Sequence, residues 1–239
     1  EVRFKKIIRY SDANKEKKTL FIWPEGVFSG YNFDEIGVFK DLIFKNFSDK
    51  HTIILGANKF DEKTGNIFNT MFAVNNNFEI IQSYDKQKLV PFGEFLPFET
   101  FLKFFGLKKI TEGYRSYSRG DKSENIILGN LNILPLICYE VIFTNFIQKS
   151  NDNTNLIVNI SEDGWFGRSI GPSQHYAKSI LRAIESNTFL LRSANKGLSA
   201  IIDNKGNTVK ILNQNEAGNI EFEVPLIKSN KNKNDLIFF

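Results

Sequence analysis

Leu131-Asn132-Ile133-Leu134-Pro135-Leu136-Ile137-Cys138-Tyr139-Glu140 is the stretch that decides how this chain is read. Leu131–Ile137 is a nearly unbroken apolar run with the length of a buried strand. It ends at the only cysteine of the chain, and a helix is expected from Val141. A strand-to-helix corner presents its side chain at a sheet edge with backbone N–H groups beside it. A thiolate there would feel the positive end of the helix dipole, which lowers its pKa. The competing reading is a small buried hydrophobe, the common fate of a lone cysteine.

On both sides of this corner, strand and helix patterns alternate. Residues 3–17 read as a lysine-laden amphipathic helix, and Thr19–Trp23 as a short strand stopped by Pro24. Ile36, Phe39, Leu42, Ile43 and Phe47 recur at helical spacing, and Thr52–Ala57 resumes a strand. Runs at Ile67–Val74 and Phe78–Tyr84 flank Asn75-Asn76-Asn77, a hairpin turn. Asn155–Ile160 is a strand and Ser173–Ser186 a helix. Further strands are expected near 188–193, 197–203, 207–213 and 219–224. This alternation predicts an α/β protein with mixed sheets covered by helices, in one domain over residues 1–239. The order of strands within the sheets does not follow from it.

Composition narrows the function. With 41% hydrophobic and 24% charged residues the chain is globular, and 24 phenylalanines can fill a sizeable core. The net charge is only +4, with basic and acidic residues interleaved, and no basic stripe alternates with aromatics as a nucleic-acid groove requires. One cysteine excludes an internal disulfide and a zinc ribbon. The most apolar window, Ile126 to Phe143, is interrupted by Asn130, Asn132, Pro135 and Glu140, so it fails as a membrane span. No signal peptide is visible, and the first residue is Glu1 while the only methionine is Met71. A fragment, a processed product or a trimmed chain is expected.

If Cys138 is a nucleophile, it needs a base. His51 lies in the charged turn Asp49-Lys50-His51 and reads as a surface residue; His175 opens a helix and reads as a capping or packing residue. A carboxylate is therefore the expected base. Glu25 follows the buried run TLFIW-Pro, Glu94 sits in Pro91-Phe92-Gly93-Glu94-Phe95, and Glu140 lies two residues after the cysteine. Apolar neighbours desolvate a carboxylate and raise its pKa towards the range useful for proton transfer. Structural ion pairing is the alternative for each. Lys86 closes the strand that begins near Phe78, as Glu25 and Cys138 close theirs. Three strand ends converging over one sheet edge would unite a base, an ammonium and a thiol.

The blocks Trp23-Pro24-Glu25, Tyr84-Asp85-Lys86-Gln87-Lys88-Leu89-Val90-Pro91-Phe92-Gly93-Glu94 and Ile137-Cys138-Tyr139-Glu140 resemble the three signature blocks of the nitrilase superfamily. More narrowly they resemble its apolipoprotein N-acyltransferase branch. The likeness continues in order through Asn159-Ile160-Ser161, Asp163-Gly164-Trp165-Phe166-Gly167, Gly171-Pro172, Gln174-His175, Arg182-Ala183 with Glu185, and Leu191-Arg192-Ser193 with Asn195 and Gly197. It covers roughly residues 18–210. Glu162 stands where that branch commonly has Asn, Gly164 where Ala is usual, and Gly26 where Thr or Ser is frequent.

The resemblance implies an αββα sandwich of two mixed sheets with helices on both outer faces, and a Glu–Lys–Cys triad carried by Glu25, Lys86 and Cys138. It implies that Glu94 supports the triad, that the Tyr139 N–H helps bind an oxyanion, and that Glu140 and Trp165 shape the pocket. The implied reaction moves an acyl chain from a phospholipid, through a cysteine thioester, to the α-amine of a diacylglyceryl-apolipoprotein, without cofactor or metal. The implied place is the periplasmic side of a bacterial inner membrane, reached through flanking transmembrane helices that are not in this chain. The crowded aromatics from Phe92 to Leu107, with Lys103, Lys108 and Lys109, fit an apolar entrance with cationic anchors for lipid, or else a core-facing helix. A soluble amidase using the same triad on a small amide or nitrile, and an inactive truncated remnant, are the alternatives.

Overall fold

The computed structural model describes residues 2–28, 30–97, 116–121, 124–149 and 152–228. Strands β1 (Thr19–Ile22), β2 (His51–Asp61), β3 (Asn66–Val74) and β4 (Ile80–Asp85) form one sheet in the order β1-β2-β3-β4. Strands β5 (Ile126–Leu128), β6 (Leu131–Ile137), β7 (Leu156–Glu162), β8 (Leu190–Asn195), β9 (Ser199–Ile202) and β10 (Thr208–Leu212) form the second, in the order β10-β9-β8-β7-β6-β5. Both are mixed: β1 runs parallel to β2, and β6, β7 and β8 run parallel to one another, while the remaining pairs are antiparallel.

The two-residue period of the strands explains the layering. Ile54, Met71 and Ala73 of the first sheet face Ile133, Ile137, Val158 and Ile160 of the second, making the inner core. The alternate positions Ile53, Leu55, Phe72 and Val74 face outward onto helices α1 (Val2–Ser11), α2 (Phe33–Ile36) and α3 (Lys40–Asn46), through Phe4, Ile36 and Ile43. Leu134, Leu136, Ile157 and Leu190 face α4 (Thr144–Lys149) and α5 (Gly171–Ser186), through Phe146, Ile147 and Ala183. Strands buried on both faces read as continuous apolar runs, which is why β6 was legible. The result is the expected αββα sandwich.

Several elements depart from the sequence expectation. The first helix ends at Ser11 rather than near residue 17. Ser11 Oγ bonds back to the Ile7 carbonyl and accepts the Trp23 indole N–H, and Asp12 adopts a positive φ of 44°, which breaks the helix. No strand forms at 219–224. Ile220 and Val224 pack against the inner core, but Asn219 donates to the Tyr10 carbonyl and Lys17 pairs with Glu221 at 2.7 Å, so side chains hold the segment without a ladder. His51 is buried, not on the surface: its Nε2 reaches the carbonyls of Asn14 and Lys17, and Phe21 and Phe47 pack edge-on to its ring. Beside the outer edge of β1 a cleft of about 1030 Å³ is lined by Leu20, Ile22, Leu191, Ile201, Ile220 and Val224; neither Glu25, Lys86 nor Cys138 lines it.

Candidate active site

Glu25, Lys86 and Cys138 each follow the last residue of a strand: β1 is followed within three residues by Glu25, β4 directly by Lys86 and β6 directly by Cys138. The strand ends meet, but across two sheets and not over one edge. Glu25 and Lys86 come from the first sheet, and Cys138 faces them from the second. The sheets approach closely here. A Cβ on Gly56 would stand 3.1 Å from Ile160 Cδ1 and 3.3 Å from Glu25 Cα, so only glycine fits without displacing the carboxylate's backbone.

The Lys86 side chain is fully buried. Its ammonium lies 2.9 Å from Glu94 Oε1 and 3.7 Å from Glu25 Oε1. Burial works against the charge, but the carboxylates of Glu25 and Glu94 raise its pKa above the ordinary lysine value. Asn69 of β3 joins the two acids: its amide donates to Glu25 Oε1 at 2.7 Å and to Glu94 Oε1 at 2.9 Å. The other oxygens accept backbone donors, Glu25 Oε2 from Glu162 N and Glu94 Oε2 from Val90 N, both at 2.9 Å. Each acid is thus held by a lysine, an amide and a main-chain N–H. Asn69 was not anticipated; a polar Asn-Thr pair inside the otherwise apolar β3 was the available signal.

Cys138 adopts a φ of +50°, unfavourable for a residue with a Cβ. The chain reverses direction there and enters a 3-10 turn over Cys138–Ile142, so α4 begins only at Thr144. The expected depression of the thiol pKa by a helix dipole is not what results. Burial pushes the Cys138 thiol up to about 12, reinforced by the Glu25 charge, while Lys86, the Ser161 hydroxyl and the Glu162 N–H pull it down. The thiol is therefore protonated near neutrality, within electrostatic reach of the Glu25 carboxylate and the Lys86 ammonium.

Glu140 is fully buried behind the corner and not on its open side. Its Oε1 accepts from the Tyr84 hydroxyl and from the N–H groups of Gln87 and Lys88; its Oε2 accepts from Ile137 N. Burial raises its pKa to about 7, against the pull of those N–H donors and of Lys86. Glu140 thereby ties the end of β6 to the segment just after Lys86. Tyr139 follows the cysteine with its ring edge-on to Phe143. Trp165 is 63% exposed and, unlike the three strand-end residues, lines the cleft beside β1. Of the aromatic run from Phe92, Phe92 is exposed and Leu96 buried, while residues 98–107, with Lys108 and Lys109, lie outside the described residues.

His175 packs inside, with Nδ1 2.9 Å from Asp163 Oδ1 and Nε2 3.1 Å from the Cys138 carbonyl. Asp163 also takes the Arg192 guanidinium at 2.7 Å and the Ser161 hydroxyl at 2.7 Å. Burial works to raise the Asp163 pKa, yet the His175 hydrogen bond and the Arg192 charge hold it at about 2. Asp163, twelve residues earlier, is the acid that orients His175.

The two-sheet αββα sandwich fits one class of protein: the chain belongs to the carbon-nitrogen hydrolase family, whose model matches residues 2–229. Within it, the chain is 37% identical over 217 residues to the apolipoprotein N-acyltransferase of Rickettsia prowazekii, covering 89% of this chain and 43% of that protein. The enzyme of the same name from Vibrio vulnificus is 32% identical over 237 residues, covering 93% of this chain and 46% of the relative. The chain thus spans less than half the length of these curated relatives. Among solved structures it is similar to Saccharomyces cerevisiae Nit3, a member of branch 10 of the nitrilase superfamily, with a TM-score of 0.64 at 18% identity, covering 90% and 82% of the two chains. It is also similar to an amidase from Nesterenkonia sp. AN1, with a TM-score of 0.61 at 13% identity, covering 89% and 80%; these likenesses concern the fold.

Proposed function

We propose that this chain carries the catalytic centre of an apolipoprotein N-acyltransferase, with Glu25, Lys86 and Cys138 as its triad. The observation that carries the reading is the buried Lys86 ammonium held by Glu25 and Glu94, with the buried Cys138 thiol in electrostatic reach of both Lys86 and Glu25, in a chain whose relatives bear that name. Glu25 takes the thiol proton as the sulfur attacks the carbonyl carbon of a phospholipid ester. The resulting oxyanion is bound by the Lys86 ammonium and the Tyr139 N–H. Collapse breaks the ester C–O bond, Glu25 returns the proton to the departing lysophospholipid alcohol, and the acyl group remains on Cys138 as a thioester.

In the second half-reaction the α-amine of a diacylglyceryl-cysteine attacks the thioester. Glu25 accepts its proton, and the C–S bond breaks to leave an amide and the free thiol. A thiol pKa near 12 suits this order: sulfur is unreactive until Glu25 removes its proton, and the charge created is neutralised by Lys86. Glu94 and Asn69 fix Lys86 and Glu25 in register. Glu140 braces the site from behind, and Trp165 shapes the approach from the neighbouring cleft. The reaction belongs on the periplasmic face of a bacterial inner membrane. No described helix is long and apolar enough to cross a bilayer.

The test is acyl transfer from phospholipid to a diacylglyceryl-cysteinyl peptide, with donor and acceptor varied independently. Parallel double-reciprocal lines are expected, since two half-reactions share one covalent intermediate. Release of ammonia from small amides, with no acylated peptide, would favour an amidase; no turnover of either substrate would favour an inactive remnant.

A further inference from the structure

The carbonyl of Cys138 and the N–H of Tyr139 belong to one planar peptide unit, and no cis peptide occurs among the described residues. In a trans unit the two groups point in opposite directions, so whatever grips the oxygen aims the hydrogen. His175 Nε2 grips that oxygen at 3.1 Å. A carbonyl only accepts, so Nε2 carries the proton of this bond. The imidazole is in turn fixed on several sides. Asp163 Oδ1 stands 2.9 Å from Nδ1, the Arg192 guanidinium holds Asp163 through Oδ2, and Phe166 packs edge-on to the ring. Asn159 extends the frame, accepting from Arg192 and donating to the Leu136 carbonyl at 3.0 Å, two residues before Cys138.

The corner needs such a grip. Cys138 sits at a φ of +50°, a conformation that persists only when its surroundings enforce it. A hydrogen bond to the carbonyl also polarises the peptide and strengthens its N–H as a donor. We infer that His175 is a positioning residue for acyl transfer: by holding the Cys138 carbonyl it aims the Tyr139 N–H at the oxyanion formed on the acyl group. His175 touches neither substrate nor sulfur in this role. The inference rests on the proposed thiol chemistry at Cys138 and adds a residue to it.

The test compares two reactions of the same sulfur in the chain as its gene encodes it. Acylation by phospholipid builds an oxyanion; alkylation by iodoacetamide builds none. Glutamine places an amide nitrogen where Nε2 stands, whereas asparagine reaches only as far as Nδ1. His175→Asn is expected to slow Cys138 acylation ~10–100-fold, within the range for losing one oxyanion donor. It should leave alkylation at matched pH within about twofold of the parent. His175→Gln should recover acylation to within about fivefold.

Labelling with ¹³C-carbonyl cysteine and ¹⁵N-tyrosine selects the Cys138–Tyr139 peptide, and ¹⁵N-histidine is added to report on His175. Its carbonyl resonance should move upfield in His175→Asn and stay near the parent position in His175→Gln. Equal loss of acylation and alkylation in both variants would overturn the inference by reducing His175 to a packing residue, as would undiminished acylation in His175→Asn. Should both variants unfold, the labelled parent decides: a Cys138 carbonyl without a hydrogen-bonded shift, or no through-bond coupling to a histidine Nε2, overturns it. A parent chain that never acylates at Cys138 would instead remove the acyl-transfer reading, and the inference with it.

Discussion

Gly164 and Glu162 share one volume: a Cβ on Gly164 would lie 2.5 Å from Glu162 Oε1. The same carboxylate also fills the space above Gly26, where a Cβ would lie 2.3 Å from Glu162 Oε2. The Glu162 carboxylate therefore leaves no room for a side chain at either glycine. Asn195 and the Gly164 N–H hold the carboxylate in place.

Gly164→Ala alone is expected to destabilise the fold by about 1–3 kcal/mol, the cost of overpacking. Combined with Glu162→Asn, which shortens the side chain while keeping an acceptor for the Gly164 N–H, the loss should largely disappear. Denaturant melts of the four proteins measure the coupling; additive effects would mean the two residues do not compete for space.

Stability towards acid is expected to depend on Asp163. Burial works to raise its pKa, but the His175 hydrogen bond and the Arg192 charge depress it to about 2, from 3.8 in an unfolded chain. A depressed carboxylate contributes stability that is present above the unfolded pKa and lost as pH falls through the folded one. About 2 kcal/mol should therefore disappear between roughly pH 4 and pH 2. Asp163→Asn should flatten that limb of the stability profile, read by chemical denaturation at fixed pH values.

Cys138 alkylation should be slow near neutrality and rise about tenfold per pH unit up to pH 10 without a plateau, because burial pushes the thiol to about 12. A plateau below pH 8, read from the iodoacetamide rate, would contradict this. Lys86→Met should slow the reaction further at every pH, since Lys86 favours the thiolate.

Much of this was legible because the inner strands are apolar on both faces. β6 was read from Leu131 to Ile137, the bounds it has in the structure. The three-residue β5 carries too little pattern to be read, and the tail at 219–224 carries a strand's pattern without a strand's partner. His51 misled because Asp49 and Lys50 flank it, whereas its burial comes from Phe21 and Phe47, which are distant in sequence. Glu25, Lys86 and Cys138 were visible as strand ends, but their meeting across two sheets depends on strand order, which periodicity does not encode. Asn69, the amide between the two acids, and Asp163, the partner of His175, emerge only once the chain is folded.

The central claim is a covalent acyl group on Cys138, and intact-mass spectrometry after incubation with phospholipid tests it most directly. The account expects a mass increase of one acyl chain, removed by hydroxylamine and absent from Cys138→Ser. A folded, membrane-attached chain that gains no adduct, or gains the same adduct in Cys138→Ser, would contradict it.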